Sequence, residues 1–234
     1  MDFDVFPLND HAVIIELGNE INLEVHKKVK TVTTLLDNDP FDWMVEYVPS
    51  FTTVTVYYDP VKVYQDTNRL PYELVCQQIN NVMKDQTTVT FEEQRVIDIP
   101  VCYGGELGPD LDDVAKYNQL TKQEVIDIHT GGEYVVYAIG FAPGFPYIGG
   151  MSAEIATPRR QSPRVTIPAG SVGIAGEQTG VYPVDTPGGW QLIGNTPMKL
   201  FQPNQQPPSL LQAGDQIKFY AITKDEYERW GKEE

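Results

Sequence analysis

Three arginines, Arg159, Arg160 and Arg164, stand together in a chain that carries 17 Lys and Arg against 33 Asp and Glu. A guanidinium is a planar fork suited to carboxylate or phosphate. The cluster therefore reads either as an anion or partner site, or as cations paired with the chain's own carboxylates. Other polar groups are set in the same stretch. Glu177 and Gln178 occupy a turn between strands, and Asp185 sits in the turn PVDTPGG. Gln191 follows Trp190, so their side chains face opposite sides of a strand. A turn Asp ordinarily bonds nearby backbone. His129 closes a helix, where the dipole favours a positive ring, or serves only as a cap. Phe141, Pro143, Phe145, Tyr147 and Trp190 supply apolar surface that either lines a pocket with Arg or Gln at its rim or fills a core.

Familiar chemistry is excluded elsewhere. There is no G-x-x-x-x-G-K-[ST] loop for nucleotide phosphates. Gly170, Gly173 and Gly176 do not match a dinucleotide fingerprint, and the first glycine near Ser171 is displaced from a nucleophile elbow. No H-E-x-x-H or Cys/His cluster is present, so no metal site is expected. His11 and His26 are isolated and read as surface or capping residues.

The elements that must position these groups begin with a soluble composition. The formal net charge of −16 argues against nucleic acid and against an anionic membrane surface. No run approaches the roughly 18 apolar residues of a membrane helix. The acidic start MDFDVFPLND has no signal-peptide pattern, and Cys76 and Cys102 form no metal-spaced pair, so a cytoplasmic setting is expected.

Periodicity predicts a strand over 12–17, a helix with Val25, Val29, Val32 and Leu36 on one face, and strands over 43–48 and 51–58. A helix from Pro71 and a strand over 95–101 complete the first half. The order β-α-β-β-α-β is ferredoxin-like. In the second half, Thr121 and Glu124 form a capping box, and Tyr134–Ile139 reads as a strong strand. Short strands follow over 165–167, 171–175, 180–183, 190–193, 198–201 and 216–222, separated by Gly and Pro, which predicts a barrel or sandwich. The tail TKDEYERWGKEE reads as solvent-facing or frayed. The expected class is α+β, with an α/β domain over 1–100 and a β-barrel domain over 101–234.

The motifs IPVCYGGELGPDL, GFAPGFPYIGGM, PRRQSPRVTIPAGSVGIAG and QTGVYPVDTPGGWQLIG occur in one order and resemble the KipI / PxpB family. That family is also called the 5-oxoprolinase PxpB component or allophanate hydrolase subunit 1. The resemblance implies an N-terminal α/β domain and a C-terminal cyclophilin-like barrel. It implies partners, a PxpC/KipA-like and a PxpA-like subunit, and ATP-coupled opening of 5-oxoproline to glutamate, with ATP and accompanying Mg2+ as the complex's requirement. It also implies two other readings: inhibition of a sensor histidine kinase, and a subunit of an allophanate or urea amidolyase enzyme. On this reading His129, Arg159, Arg164, Gln178 and Gln191 surround developing charge. Phe141, Pro143, Phe145, Tyr147, Asp185, Trp190 and Asn195 contact substrate or partner. One position departs from the family pattern: Asn195 stands where GWQLIGRTP-like sequences carry arginine. Asparagine is neutral and shorter, so an anion contact made by that arginine would be lost here.

Overall fold

The computed structural model describes residues 1–64, 69–84 and 95–230. The chain forms two compact units, Met1–Glu93 and Gln94–Glu234.

In the first unit the elements are β1 (Asp4–Asn9), β2 (Ala12–Glu16), α1 (Leu23–Asn38), β3 (Met44–Pro49), β4 (Thr53–Tyr58), α2 (Pro60–Val63) and α3 (Pro71–Lys84). The sheet runs β1-β2-β4-β3 and is antiparallel throughout. Helix α1 starts where the Asn22 side chain accepts the Val25 N–H at 2.9 Å. Its buried Val25, Val29, Val32 and Leu36 fall at helical spacing. They share one core with Val13, Ile15, Val54 and Val56 of the sheet and with Val75, Ile79 and Met83 of α3.

The expected βαββαβ unit needs correction. The strand expected over 95–101 is β5 (Val96–Tyr103), and it belongs to the barrel, where it runs parallel to β13 (Gln216–Ala221). The sheet's fourth member is instead β1, pairing antiparallel with β2. Strand β1 is almost wholly exposed and contains Pro7, which an edge strand tolerates because one row of its backbone groups needs no partner. Its alternation is too weak to mark it in the sequence. Because β5 spans 96–103, it also runs across the position at which the second domain was expected to begin.

The second unit continues with α4 (Leu111–Tyr117), α5 (Lys122–Gly131), β6 (Tyr134–Ile139), β7 (Pro146–Gly149), β8 (Arg164–Ile167), β9 (Ser171–Ala175), β10 (Gln178–Val181), β11 (Thr186–Gly188), β12 (Gln191–Asn195), β13 and α6 (Lys224–Trp230). Seven strands close a barrel in the order β10-β7-β6-β13-β5-β12-β9. The expected capping box is present: Thr121 caps α5 and Glu124 reaches back to the Thr121 N–H at 2.7 Å. Residues 198–201 form no strand, only a bridge between Phe201 and Ser209. Nor is the tail frayed at its start. Lys224–Trp230 is helical, and Thr223 and Glu226 exchange the same reciprocal bonds at 2.7 and 3.3 Å.

Strands β9 and β10 alternate between two cores. Val172, Ile174 and Val181 join Ile99, Val101, Val136, Ile148 and Phe219 inside the barrel. On the outer face Phe145, Ile167, Tyr182, Trp190 and Leu192 form a separate cluster. Glycine makes room for it. A Cβ on Gly180 would lie 3.0 Å from Trp190 and 3.1 Å from Phe145, and one on Gly173 would lie 3.1 Å from Trp190. Strands β8 and β11 pair as a two-stranded ribbon outside the barrel.

Candidate functional site

The ribbon and the loop over 140–145 bound a cleft of about 280 Å³ over the outer aromatic cluster. Its lining is Phe141, Phe145, Tyr147, Arg159, Pro163, Tyr182, Pro187, Gly188, Gly189 and Trp190. Phe145 is its centre. Phe141, Tyr147, Tyr182 and Trp190 all meet it edge to face, at centroid distances of 5.3, 5.2, 5.3 and 5.7 Å. Such mutual contacts hold each ring in one orientation. Phe141 is different: it is 63 % exposed and sits at φ 69° in the left-handed region, which costs an aromatic residue about 1–3 kcal/mol. The close turn beneath it brings the Phe145 N–H to the Ala142 carbonyl at 3.0 Å.

Tyr182 closes the floor. Burial pushes its hydroxyl up to about 12, against the opposing pull of the Trp190 backbone, Arg159 and Arg164, so it is protonated at neutral pH. A Cβ on Gly188 would lie 2.5 Å from that hydroxyl, which explains glycine there.

The three arginines separate into two kinds. Asp110, 2 % exposed, accepts Arg160 Nη1 at 2.8 Å and Arg164 Nη2 at 2.7 Å on one oxygen, and the Leu192 N–H at 2.6 Å on the other. The turn that delivers Asp110 lies directly on β12: a Cβ on Gly108 would run into the Ile193 carbonyl oxygen. Arg160 and Arg164 are therefore held by a carboxylate of their own chain, as the plainer of the two sequence readings expected. Arg159 is exposed, lines the cleft, and meets no carboxylate among the described residues. The cleft lining contains no acidic residue.

Gln191 Nε2 donates to the Pro158 carbonyl at 2.9 Å and so fixes the backbone immediately before Arg159. Gln178, at the start of β10, and Pro143, exposed in its turn, do not line the cleft. Asp185 accepts the Ala169 N–H at 2.8 Å, tying two loops together across the sequence. Asn195 is 4 % exposed. It donates to the Ala169 carbonyl at 3.1 Å and accepts the Tyr227 hydroxyl at 2.8 Å. Its amide is thus engaged within the fold, away from the cleft lining.

His129 is fully buried, with its ring 4.5 Å from that of Phe219. Thr179 donates its hydroxyl to the Gly173 carbonyl at 3.1 Å, so it accepts His129 Nε2–H at 3.0 Å. Nδ1 then accepts the Tyr103 hydroxyl at 2.7 Å. Burial lowers the ring's pKa to about 3. The expectation of a cationic helix-end histidine is corrected accordingly: both ring nitrogens are used inside the core, and desolvation there disfavours the charged form.

The sequence reading passed over Asp110, Tyr182 and Gly188. The first was marked only by a Gly-Pro-Asp turn, while the others lay inside a motif already singled out for its turns. A larger hollow, about 480 Å³, lies in the first unit against Pro7, Leu8, Tyr58 and Tyr72. It has no basic residue in its lining and is the weaker candidate for an anionic small molecule. No group of three His, Cys, Asp or Glu able to hold a metal occurs among the described residues. No helix among the described residues is long and apolar enough to cross a membrane.

Residues 3–211 match the model of the family "Carboxyltransferase domain, subdomain C and D". The chain is 50 % identical over 234 residues to the PxpB-type 5-oxoprolinase component of Bacillus subtilis, covering 99 % of this chain and 98 % of the relative. A crystal structure of a conserved uncharacterized protein from Pyrococcus horikoshii is 40 % identical, with a TM-score of 0.56, covering 96 % of this chain and 100 % of that one. The structure of K. lactis urea amidolyase, at 18 % identity and a TM-score of 0.74, covers 97 % of this chain and 15 % of that one, and shares the fold alone. The chain belongs to the carboxyltransferase subdomain C and D family, and within it to the PxpB-type 5-oxoprolinase components.

Proposed function

We propose that this chain is the PxpB-type component of an ATP-dependent 5-oxoprolinase, which opens the lactam of 5-oxoproline to glutamate. The observation that carries this reading is the 50 % identity to a 5-oxoprolinase component of that type across nearly the whole of both chains. The aromatic cleft supports it as the part of this subunit nearest to chemistry. Its size suits one small ring, since ligand pockets ordinarily begin at about 300 Å³. Its one basic residue meets no carboxylate among the described residues, while Gln191 and the Asp110-bound Arg160 and Arg164 hold the segment that presents it. His129 and Gln178 stand outside the proposed contact set.

ATP is the co-substrate of the assembled enzyme in this reading, accompanied by Mg2+. The chain has no phosphate-cradling G-x-x-x-x-G-K-[ST] loop, and its described residues gather no carboxylate cluster for a metal. These residues do not fit a magnesium–nucleotide site, so the nucleotide is assigned to the PxpC/KipA-like and PxpA-like subunits. The subunit alone is then inactive. Two free cysteines accord with a reducing, cytoplasmic setting.

Co-expression with the PxpC-like and PxpA-like proteins of the same organism, followed by measurement of 5-oxoproline-dependent ADP release, tests the proposal. Release is expected only from the full assembly. Release by the single chain overturns the claim of inactivity, and an assembled complex inert toward 5-oxoproline overturns the function.

A further inference from the structure

Arg159 stands apart within its own cluster. Its two neighbours in the cluster share Asp110, yet Arg159 stands exposed at the cleft with no carboxylate beside it among the described residues. Every other lining group is aromatic, proline, or glycine. A guanidinium at the mouth of such a cleft attracts an anion. Phe141 adds an independent sign. A largely exposed aromatic ring held at φ 69° on the rim gains little from burial, so its strained placement points to something that docks beneath it.

The type of anion follows from the charge the cleft presents. A phosphoryl group is ordinarily held by several converging donors, commonly backbone N–H groups of a Gly-rich loop or helix start. The cleft's one cationic donor is a guanidinium fork, whose single charge and geometry match one carboxylate in two parallel hydrogen bonds. The walls beside it are ring faces and edges, against which a flat five-membered lactam can lie.

We infer that Arg159 binds the carboxylate of the cyclic amide substrate, with the lactam ring against Phe145 and Trp190, while Arg160 and Arg164 are withheld from the substrate by Asp110. This assignment rests on the reading of the chain as a 5-oxoprolinase subunit. It separates two jobs within three residues of one type: one arginine recognises, and two position it.

The test uses the full chain in titration calorimetry with L-5-oxoproline, 2-pyrrolidinone and inorganic phosphate. The expected result is that L-5-oxoproline binds about 10- to 100-fold more tightly than 2-pyrrolidinone, which has the ring but no carboxylate. Arg159→Gln should abolish that difference, and Arg159→Lys should keep part of it. Equal binding of the two ring compounds, no binding of L-5-oxoproline, or preferential binding of phosphate through Arg159 would each overturn the assignment. In the assembled enzyme, Arg159→Gln should raise KM for 5-oxoproline about tenfold or more. Active enzyme with an unchanged KM rejects the role of Arg159 and leaves the function standing. A complex that releases no ADP, built from a subunit that still binds L-5-oxoproline through Arg159, rejects the function and leaves the contact standing.

Discussion

The barrel interior and the cleft on its outer face are built from the same strands, and they treat polar groups in opposite ways. Inside, Thr179 of β10 completes a chain from Tyr103 through His129 to the Gly173 carbonyl, and each hydroxyl or ring nitrogen in it has a partner. Outside, Gly173 and Gly180 of the adjoining registers make room for the rings of Phe145 and Trp190, over which a cleft stays open. The cation at that opening meets no carboxylate among the described residues. A closed barrel can bury polar groups only when their hydrogen bonds are completed locally, because burial removes them from bulk solvent. The outer face carries no such obligation. The lesson is that burial and a strong pKa shift, which single out His129, mark the stabilising part of this unit. The open cation marks the part available to a ligand.

The largest expected effect falls on the link between the cleft and the barrel. Asp110→Ala removes the acceptor of two guanidinium groups and of the Leu192 N–H, leaving partly buried cations without an anion. A loss of about 3 kcal/mol is expected in urea unfolding. A change near zero would show that solvent already compensates the arginines.

His129 should produce the next effect, and it is pH-dependent. The folded pKa of about 3 lies below the ordinary value of 6.5, so the unfolded chain takes up the proton first. Stability from this group is complete above pH 6.5 and declines as pH falls toward 3, by about 1 kcal/mol per unit. His26, buried in α1 rather than at the surface or in a cap, is lowered to about 4 by burial and by Lys30 and adds in the same direction in the first unit. His129→Phe should lower stability at pH 7 by about 1–3 kcal/mol through two lost hydrogen bonds and leave a flatter acid limb. Parallel acid limbs for the variant and the natural chain would remove His129 from the account.

Gly180→Ala probes the boundary between the two regions directly. Its methyl would press on Trp190, Phe145 and the Pro146 carbonyl at 3.0–3.2 Å, costing about 1–3 kcal/mol and shifting the rings of the cleft floor. Near-ultraviolet circular dichroism should register that shift, while an unchanged aromatic signal would mean that the floor accommodates a methyl. Smallest of all is the effect of Arg159→Gln on stability, expected within about 0.5 kcal/mol because the side chain is exposed and meets no carboxylate among the described residues. A loss as large as that of Asp110→Ala would mean that Arg159 belongs to the same structural network after all.

Much of the architecture was legible because it is written in local periods. The faces of α1 and α3, the capping box at Thr121 and the strand over 134–139 all follow from spacing within a dozen residues. A second capping box was equally readable at Thr223 and Glu226 but was obscured by the charge of the tail. Strand β1 was not legible, since an exposed edge strand with a proline carries little alternation. For the site, the aromatic residues and the arginine cluster were found from type and clustering. The anchor was not: Asp110 lies 50 and 54 residues from the arginines that it binds.

By itself, then, the sequence determined the apolar faces of α1 and α3, the strand over 134–139, where the glycine-rich turns fall, and to which family the chain's motifs correspond. Those properties depend on neighbours a few residues apart. Only the tertiary structure decided that β5 joins β13 in the barrel rather than completing the first sheet. It alone divided three clustered arginines into two that share one buried carboxylate and one that is open. The reason is that side-chain partners and sheet membership are set by which distant segments meet. A carboxylate placed tens of residues away changes the charge state of a site without altering the local pattern around it.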